Sequence, residues 1–221
     1  MLFYCHYKCN ALRKYILDEK EKMLAGKIYD CMVPELYERR LKAGELCIKY
    51  NNLPEAHPDR ARLLKEIFPN ADDSLFIRGP VFVDYGTFTK FGKNCYANFN
   101  LVILDVCPVT IGDYVFFGPN VSIITALHSL IAEERKQYFN EEKGYQTDRE
   151  YGKPITIGNN CWIGSNVTIL PGVTIEDNVV VGAGSVVTHN LKSGAVYVGN
   201  PAHKLRDITP EDSIYLKKEL W

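Results

Sequence analysis

The stretch IGNNCWIGSNVTILPGVTIEDNVVVGAGSVVTHNLK, residues 157–192, decides the fold class of this chain. Read in blocks of six, it opens every block with Ile or Val, and Gly stands second in three of the six blocks. A hydrophobic residue at every sixth position cannot line one face of an α-helix, whose period is 3.6 residues, and it is not the strict alternation of a strand. The pattern predicts coils in which each short strand turns one aliphatic side chain inward before a corner.

The same frame appears upstream of this stretch. The blocks IGDYVF and FGPNVS run from residue 111 to 122, and looser blocks run from 85 to 108. An offset of two residues, Val109 and Thr110, separates the two frames. Gly, Asn and Asp suit the corners because they tolerate positive φ. Since each coil needs its neighbours to bury its aliphatic side chains, the blocks predict a stacked repeat from about residue 80 onward.

Composition excludes several classes of protein. The chain has 221 residues, 46% of them hydrophobic, and 26 basic residues balance 27 acidic ones. Charge therefore favours neither a nucleic acid nor a membrane as a partner. No apolar run approaches the roughly 18 residues of a membrane span. The seven scattered cysteines indicate reduced thiols in a cytoplasmic protein, because a secreted disulfide framework is usually even in number and concentrated in a short chain.

Five further strings carry a resemblance to a known family. They are MLAGKIYD, YANFNLVILDVCPVTIGD, PNVSIITALHS, EYGKPITIGNNCWIGSNVTILPGVTI and VVGAGSVVT. The repeat blocks resemble the hexapeptide-repeat acyltransferases, and these strings are similar to the maltose and galactoside O-acetyltransferase family from about Met23 to Ile208. The resemblance implies a mainly β fold, a left-handed parallel β-helix with three hexapeptides in each triangular coil.

Four parts of the chain follow from the patterns and the resemblance. Residues 1–22 form an N-terminal extension, expected to be a capping or trimer-contact helix, and 23–75 form a helical segment. Residues 76–208 form the β-helix, interrupted by an inserted loop at 125–154, which is too charged to be a coil. Residues 209–221 read as a short C-terminal helix with a capping signature at Thr209, Pro210 and Asp212.

Two helices are expected in the helical segment, each with one apolar face. Their predicted buried side chains are Leu36, Ala43, Leu46, Cys47 and Tyr50 in the first helix, and Ala61, Leu64, Ile67 and Phe68 in the second.

Acetyl transfer from a thioester to a hydroxyl needs a base and donors for the developing oxyanion. His128 stands at the start of the inserted loop, and the resemblance implies that it is the general base. Histidine suits this role because its usual pKa is near neutral pH. Asn98 in YANFN matches a family asparagine that stabilises the transition state or positions the acceptor. The repeat breaks here because a β-helix has a flat wall, and a loop is needed to enclose an acceptor.

Carboxylates accept hydrogen bonds from sugar hydroxyls. Asp84 and Asp105 match acceptor-binding positions of the family, although either could instead be a solvated turn residue. Val106 replaces an additional Asp found in some relatives. Asp30 is a further candidate, offset by one residue in some relatives. Asn98 is also expected to bind the acceptor.

Family coenzyme positions are matched by Ser165, Ala183 and Thr188, and Trp162 offers an apolar wall beside them. Lys204 and Arg206 are the cations expected at the coenzyme phosphates. His189 and His203 replace basic residues of the family, so coenzyme affinity is expected to be weaker unless Lys192 compensates.

The sequence therefore predicts an acetyl-CoA-dependent O-acetyltransferase acting on a sugar such as maltose, glucose or a galactoside. The resemblance also implies a homotrimer, with sites between subunits and no metal. Three alternatives stay open. The acceptor could be a non-sugar hydroxyl compound such as a xenobiotic. Histidines could bind zinc between subunits, which needs about three of them per site. The coils could serve as a non-catalytic scaffold.

Overall fold

The structure is a computed structural model that describes residues 17–220. Helices precede the β-helix: α1 (Glu19–Leu24), α2 (Pro34–Asn51) and α3 (Asp59–Ile67). Of the predicted N-terminal extension, only residues 17–22 lie within this described part. Asp18 caps α1 because its side chain accepts a hydrogen bond from the Glu21 backbone and the Glu21 side chain accepts one from the Asp18 backbone.

Three parallel sheets form the faces of the β-helix, and each coil visits them in turn. The first face contains β2 (Phe76–Ile77), β5 (Tyr96–Ala97), β8 (Phe116–Phe117), β15 (Trp162–Ile163), β18 (Val180–Val181) and β20 (Ala195–Val198), and is closed by the antiparallel β21 (His203–Asp207). The second face contains β3 (Val81–Val83), β6 (Leu101–Leu104), β9 (Ser122–Ile124), β16 (Thr168–Ile169) and β19 (Val186–Val187). The third face contains β4 (Thr89–Phe91), β7 (Val109–Ile111), β14 (Ile155–Ile157) and β17 (Thr174–Ile175).

The predicted aliphatic column fills the β-helix. Ile157 pairs with Ile175, three blocks of six later, so each full coil consumes three blocks. Block-opening residues are buried, as predicted, but the fifth residue of each block is buried as well. Each block therefore sends two side chains inward, and the prediction of one was too low. The fifth residues are Cys161, Val167, Val173, Val179, Ser185 and Leu191.

The two-residue offset at Val109 is a wider corner between the second and third faces. Asp105 lies in this corner and is fully buried. Its carboxylate accepts hydrogen bonds from the backbone amides of Tyr85, Gly86 and Phe88 and from the Thr89 hydroxyl, at 2.9 to 3.2 Å. The extra residues therefore enclose a carboxylate that organises the preceding coil.

The helices cap the first coil. All five side chains predicted for the apolar face of α2 are buried. In α3, Leu64, Ile67 and Phe68 are buried as predicted, but Ala61 is exposed, and Arg60 and Leu63 are buried in its place.

Arg60 is buried because backbone carbonyls and an aromatic ring receive its guanidinium. It donates to the carbonyls of Leu53, Ile77 and Arg78 at 2.7 to 2.9 Å and lies 4.0 Å over the Tyr50 ring. These contacts join the helical segment to the start of the β-helix. Helical periodicity predicted Ala61 on this face, because a charged side chain such as that of Arg60 is expected to face solvent.

The inserted loop contains regular structure. Its strands are β10 (Ala126–Leu127), β11 (Tyr138–Asn140), β12 (Tyr145–Thr147) and β13 (Arg149–Gly152). Strands β11 and β12 form an antiparallel hairpin, and β13 lies between β10 and β1 (Tyr29–Asp30). The loop is therefore fixed to the segment that precedes α2.

The tail differs from the predicted C-terminal helix. Its described part has three 3-10 turns, Pro210–Asp212, Ile214–Leu216 and Lys218–Leu220, and no α-helix. The predicted cap at Thr209 and Asp212 is present, but Ser213 is extended (φ −59°, ψ 126°) and ends the first turn. Within residues 17–220, no helix is long and apolar enough to cross a membrane.

Candidate active site

One row of candidate residues follows the corner between the first and second faces. Asn98 begins this corner in its coil, and its backbone N–H donates to the Phe117 carbonyl of the next coil at 3.0 Å. Ser165 and Ala183 lie at the same corner in later coils, since Gly184 donates to the Ser165 carbonyl at 2.8 Å. We call Asn98, Ser165 and Ala183 the first ridge. Trp162 is exposed on the adjoining first face.

Asparagine shapes this corner. Asn100, Asn120 and Asn166 have φ between 57° and 59°, in the left-handed region that asparagine tolerates. The Asn100 side chain donates to Asn120 at 2.8 Å, and Asn120 donates to Asn166 at 3.0 Å. This asparagine ladder holds the first ridge straight from coil to coil.

A second row of candidate residues follows the corner between the second and third faces. Asp84 follows β3, Thr188 follows β19, and the loop carrying His128 leaves after β9. We call Asp84, His128 and Thr188 the second ridge. A second-face strand of three or four residues separates the ridges by about 10 Å. One chain therefore presents Asn98 and His128 on different corners of the coil.

The root of the His128 segment is rigid. Thr125 is fully buried, and its hydroxyl donates to the Leu104 carbonyl at 2.6 Å and accepts from the Cys107 amide at 2.9 Å. Leu127 then pairs with Tyr151 on β13. Exposed His128 directly follows this last paired residue of β10. The base candidate thus follows directly after a strand that is held by an antiparallel pair.

Glu150 belongs to a polar cluster that the sequence did not reveal. Tyr29 donates its hydroxyl proton to Glu150 at 2.7 Å, and the Cys31 thiol donates to Asp148 at 2.9 Å. Arg40 on α2 interacts electrostatically with Cys31 and Glu150, and its charge also favours the charged form of Asp84. The only sequence signals were the position of Glu150 within the family string EYGKP and of Cys31 next to Asp30.

Asp84 is half-buried on the edge of this cluster. Burial, together with the nearby charges of Asp105 and Glu150, raises the pKa of the Asp84 carboxyl to about 6, against the opposing effect of Arg40. The Tyr85 hydroxyl is buried and has no hydrogen-bond partner among the described residues. Asp84 is therefore placed where a bound polar group could contact it.

Cys31, Asp148 and Glu150 could in principle hold a metal ion, since their ligand atoms lie within 4.8 Å of one another. Burial, and the hydrogen bond to Asp148, raise the pKa of the Cys31 thiol to about 12. The thiol is therefore protonated near neutral pH and acts as a donor. Structural zinc sites usually have four His or Cys ligands, and this group offers a single such residue.

The histidines of the described part are dispersed. His57 precedes α3, His128 lies on the inserted loop, and the rings of His189 and His203 are neighbours at the far end of the coils. This dispersal does not supply three histidine ligands from one region of the chain. His6 lies outside the described residues.

Two predicted acceptor residues are occupied by the protein itself. The buried Asp30 carboxylate accepts hydrogen bonds from Lys143 at 2.7 Å, Tyr145 at 3.1 Å and Thr147 at 2.5 Å. Burial raises the pKa of Asp30, but these hydrogen bonds outweigh it and the pKa is lowered. Asp30 thus anchors the β11–β12 hairpin, and Asp105 organises its corner. Both carboxylates are already hydrogen-bonded within the protein, and contact of either with an acceptor stays a prediction.

At the far end of the coils, the cations predicted to bind the coenzyme phosphates are already paired within the protein. Lys204 forms an ion pair with Asp207 at 2.6 Å, and Arg206 forms one with Asp212 at 2.7 Å. Lys192, the expected compensating cation, pairs with Glu176 at 2.6 Å.

The sequence of this chain is similar to those of known acetyltransferases. A sequence model of the maltose acetyltransferase hexapeptide capping motif matches residues 22–72, and one of the hexapeptide repeat of succinyl-transferase matches 154–189. The galactoside O-acetyltransferase of Escherichia coli is 41% identical over 203 residues, covering 90% of this chain and 94% of that protein. The chain belongs to the maltose and galactoside O-acetyltransferase family.

Solved structures of this family share the fold. The maltose O-acetyltransferase from Clostridium difficile superposes with a TM-score of 0.78 at 39% identity, covering 87% of this chain and 98% of that one. A galactoside acetyltransferase in complex with coenzyme A gives a TM-score of 0.74 at 38% identity, covering 89% and 94%. These comparisons confirm the family and the β-helix predicted from the hexapeptide blocks.

Proposed function

We propose that this chain transfers an acetyl group from acetyl-CoA to a hydroxyl of a sugar such as maltose, glucose or a galactoside. The observation that carries the proposal is the setting of His128. A buried Thr125 fixes its segment to a rigid coil, and Leu127, the residue before His128, pairs with Tyr151 on β13. The 41% identity to a galactoside O-acetyltransferase supports the reaction class.

Bound acetyl-CoA supplies the acetyl group as a thioester. His128 takes the proton of the acceptor hydroxyl while its oxygen forms the new bond to the acetyl carbon. The carbon–sulfur bond then breaks, and His128 returns the proton to the leaving sulfur. The Asn98 side-chain oxygen accepts from the Phe99 amide at 2.9 Å, so its NH₂ group is the end available to donate to the developing oxyanion.

The first ridge fits an extended coenzyme arm. Ser165 and Ala183 are small, Ser165 is partly exposed and Ala183 is exposed, and the Trp162 side chain is 58% exposed beside them. A Cβ on Gly164 would lie 2.7 Å from the Ala183 amide, so successive coils are in close contact along this row. A smooth, small-residue ridge allows the arm to approach backbone amides closely.

The proposal includes a homotrimer. Because Asn98 and His128 lie on different ridges of one chain, a site that uses both is completed when the second ridge of one subunit faces the first ridge of the next. Exposed rings of Phe76, Phe116 and Trp162 along the first face are apolar surface that such packing would cover.

A second candidate acceptor is a non-sugar hydroxyl compound. The cleft beside the His128 segment is lined by Ile28 and Leu130 as well as Arg149 and Tyr151, and Leu130 is 93% exposed. An apolar group attached to the hydroxyl would contact Ile28 and Leu130. Acceptors that carry an aryl group therefore belong in any substrate panel.

A cytoplasmic location is also part of the proposal. Cys31, Cys47, Cys95, Cys107 and Cys161 are free and buried. Reduced buried thiols suit a reducing compartment.

The first test measures thiol release from acetyl-CoA with maltose, glucose, aryl galactosides and an aryl alcohol. His128→Ala should lower kcat by about 10²- to 10⁴-fold, the usual contribution of a general base. His57→Asn, which alters a histidine in the helical segment, should retain the native rate. Equal rates for His128→Ala and an active native protein would refute the base assignment. Coenzyme binding without turnover on any acceptor would favour the scaffold reading.

A second test addresses the shared site. Inactive His128→Ala and Asn98→Ala chains are unfolded together and refolded as a mixture. If each site takes Asn98 from one chain and His128 from another, random mixing should restore roughly a quarter of the native rate. Equal amounts of either variant refolded alone serve as controls. No recovery in mixed trimers would place both residues of a site in one chain.

A further inference from the structure

Two clefts beside the inserted loop share part of their walls. The first, which we call the His128 cleft, begins at the residue after the proposed base and has a volume of about 330 Å³. The second, which we call the hairpin cleft, lies between α1 and the β11–β12 hairpin and has a volume of about 200 Å³. Ile28 and Arg149 line both clefts. The two clefts therefore meet at these residues and form one groove.

The hairpin cleft is polar. Side chains from three elements line most of it: Glu19 and Lys22 from α1, Asp30 from β1, and Tyr138, Asn140 and Lys143 from the hairpin. Carboxylate, amide and ammonium groups on its walls match the many hydroxyls of a sugar ring, which both donate and accept hydrogen bonds. The groove is therefore longer than one sugar unit requires, and its far end suits a second unit.

Four of the five charged side chains that line the hairpin cleft neutralise one another. Lys22 forms an ion pair with Glu19 at 2.8 Å, and Lys143 forms one with Asp30 at 2.7 Å. Arg149 is the fifth, and in the part of the chain that the structure describes it has no carboxylate within ion-pair distance. The cleft therefore carries one uncompensated positive charge, on the guanidinium where the two clefts meet.

The strand register explains why Arg149 is left without a partner. Asp30 is the residue opposite it on β1, but that carboxylate already accepts three hydrogen bonds from the hairpin. The Arg149 guanidinium lies 5.4 Å over the Tyr138 ring instead, and its side chain is exposed. The aromatic ring fixes the position of the cation without consuming its hydrogen-bond donors.

The His128 cleft has the opposite electrostatic character. Besides Arg149, its one charged lining residue is Glu134, whose carboxylate accepts a hydrogen bond from the Ser129 hydroxyl at 2.5 Å. A negative group bound there would be repelled by Glu134. The groove therefore favours a neutral unit beside the proposed base and a negative group in the hairpin cleft.

We propose that the acceptor is an acidic oligosaccharide. The neutral sugar unit that carries the reacting hydroxyl lies in the His128 cleft, and the next unit lies in the hairpin cleft and bears a carboxylate, as in a uronic acid, that binds Arg149. A guanidinium donates two parallel hydrogen bonds to a carboxylate, whereas the lysines of this cleft already hold carboxylates of their own. This inference rests on the proposed function, because it names the acceptor of the same site.

The experiment compares two acceptors of the same linkage, cellobiose and cellobiouronic acid, in which a carboxylate replaces the hydroxymethyl group of one glucose unit. Thiol release from saturating acetyl-CoA gives kcat/KM for each. We expect the native protein to favour the acid about tenfold, the order of one charge-assisted hydrogen bond, chiefly through a lower KM. Added salt should reduce this preference, because the groove is open to solvent.

Arg149→Gln should make the two values equal, and Arg149→Lys should keep part of the preference. The ratio of the two values cancels any general effect of a substitution on the fold. Lys136→Gln is the control for charge, since it removes a cation of the same loop that is paired with Glu133 and lines neither cleft. It should keep the native ratio.

Tyr138→Ala and Phe139→Ala form a second matched pair, because successive residues of β11 face opposite sides. Loss of the Tyr138 ring should reduce the preference for the acid, since the guanidinium then loses its support. Phe139 lines neither cleft, and its replacement should leave the ratio unchanged.

An active native protein that uses cellobiose as well as or better than cellobiouronic acid would overturn this inference and leave the proposed function standing. The same holds if Arg149→Gln keeps the native ratio. Absence of thiol release with every acceptor, these two included, would overturn the proposed function and this inference with it.

Discussion

Tyr29 donates a 2.7 Å hydrogen bond to Glu150, across 121 positions of sequence. The two residues are also register partners on β1 and β13, and β13 pairs with β10 on its other side. The short segment before α2 therefore holds the inserted loop in place, and the loop in turn holds His128. This relationship joins the N-terminal capping segment directly to the proposed chemistry.

Replacing Tyr29 with Phe tests that connection. The variant keeps the ring but removes a donor to a partly buried carboxylate, which should cost about 1–2 kcal/mol of unfolding free energy. It should also lower kcat by about three- to tenfold, because Glu150 loses the contact that fixes its side chain beside the His128 strand. Urea denaturation and thiol-release kinetics measure the two effects. Tyr37→Phe, on the exposed side of α2, is the control and should change neither.

The Asp105 carboxylate makes stability depend on pH. Burial raises its pKa, and the hydrogen bonds from backbone amides and Thr89 lower it; the net result is a pKa of about 6. The folded state therefore holds this proton more tightly than the unfolded state, whose aspartate pKa is about 3.9. The resulting stabilisation is complete below about pH 4 and is lost as pH rises through about 6.

Asp105→Asn should remove that dependence. Relative to the native protein, its free energy of unfolding should improve by up to about 3 kcal/mol between pH 4 and pH 7.5. Urea denaturation of both proteins at matched pH values gives the difference directly, and histidine titration cancels in it. Asp73→Asn, at an exposed site, should show no such change. A difference between Asp105→Asn and the native protein that is constant with pH would contradict the prediction.

Gly152 closes the inserted loop in a space that admits no side chain. A Cβ there would lie 2.8 Å from the Cys107 sulfur, 2.9 Å from a Val106 methyl and 3.0 Å from the Thr125 carbonyl oxygen. Gly152→Ala should therefore cost about 1–3 kcal/mol of stability and reduce activity by shifting the root of the His128 segment.

Gly44 is the matched glycine. It lies within α2, and a Cβ there meets nothing within 4 Å. Gly44→Ala should raise stability by about 0.5–1 kcal/mol through helix propensity and leave activity unchanged. Thermal unfolding of both variants provides the comparison. Equal effects at the two glycines would show that crowding at Gly152 is relieved without cost.

Arg60 should not tolerate lysine. Its planar guanidinium reaches the carbonyls of Leu53, Ile77 and Arg78 at once and covers the Tyr50 ring, and an ammonium group cannot reproduce that geometry. Arg60→Lys should lose about 2–4 kcal/mol of stability, since it leaves buried carbonyls without donors.

Arg62 is the control for Arg60, two residues away. It is exposed and pairs with Glu66 and Asp59 on the surface of α3. Arg62→Lys should stay within about 0.5 kcal/mol of the native protein. Chemical denaturation distinguishes the two, and a small loss for Arg60→Lys would show that the helical segment does not depend on this guanidinium.

Much of the fold was predictable because the repeat is local. Each hexapeptide contains its own inward-facing residues and its own corner. Ile157, Ile163 and their equivalents therefore identify the coil without reference to distant residues. The apolar face of α2 was equally readable from its spacing. Arg60 was missed because its burial depends on carbonyls that only the folded first coil presents. The tail was read as a helix from its cap, but the extended Ser213 ends the turn.

The proposed site was likewise only partly predictable from the sequence. Sequence by itself determined the β-helix, the position of the break and the candidates His128 and Asn98, because these lie in strings similar to a family. Tertiary structure alone decided that Asp30 and Asp105 serve the protein's own backbone and hairpin, and that Glu150 and Cys31 meet beside the loop. A carboxylate's role depends on which donors surround it, and those donors are brought together by folding across many coils.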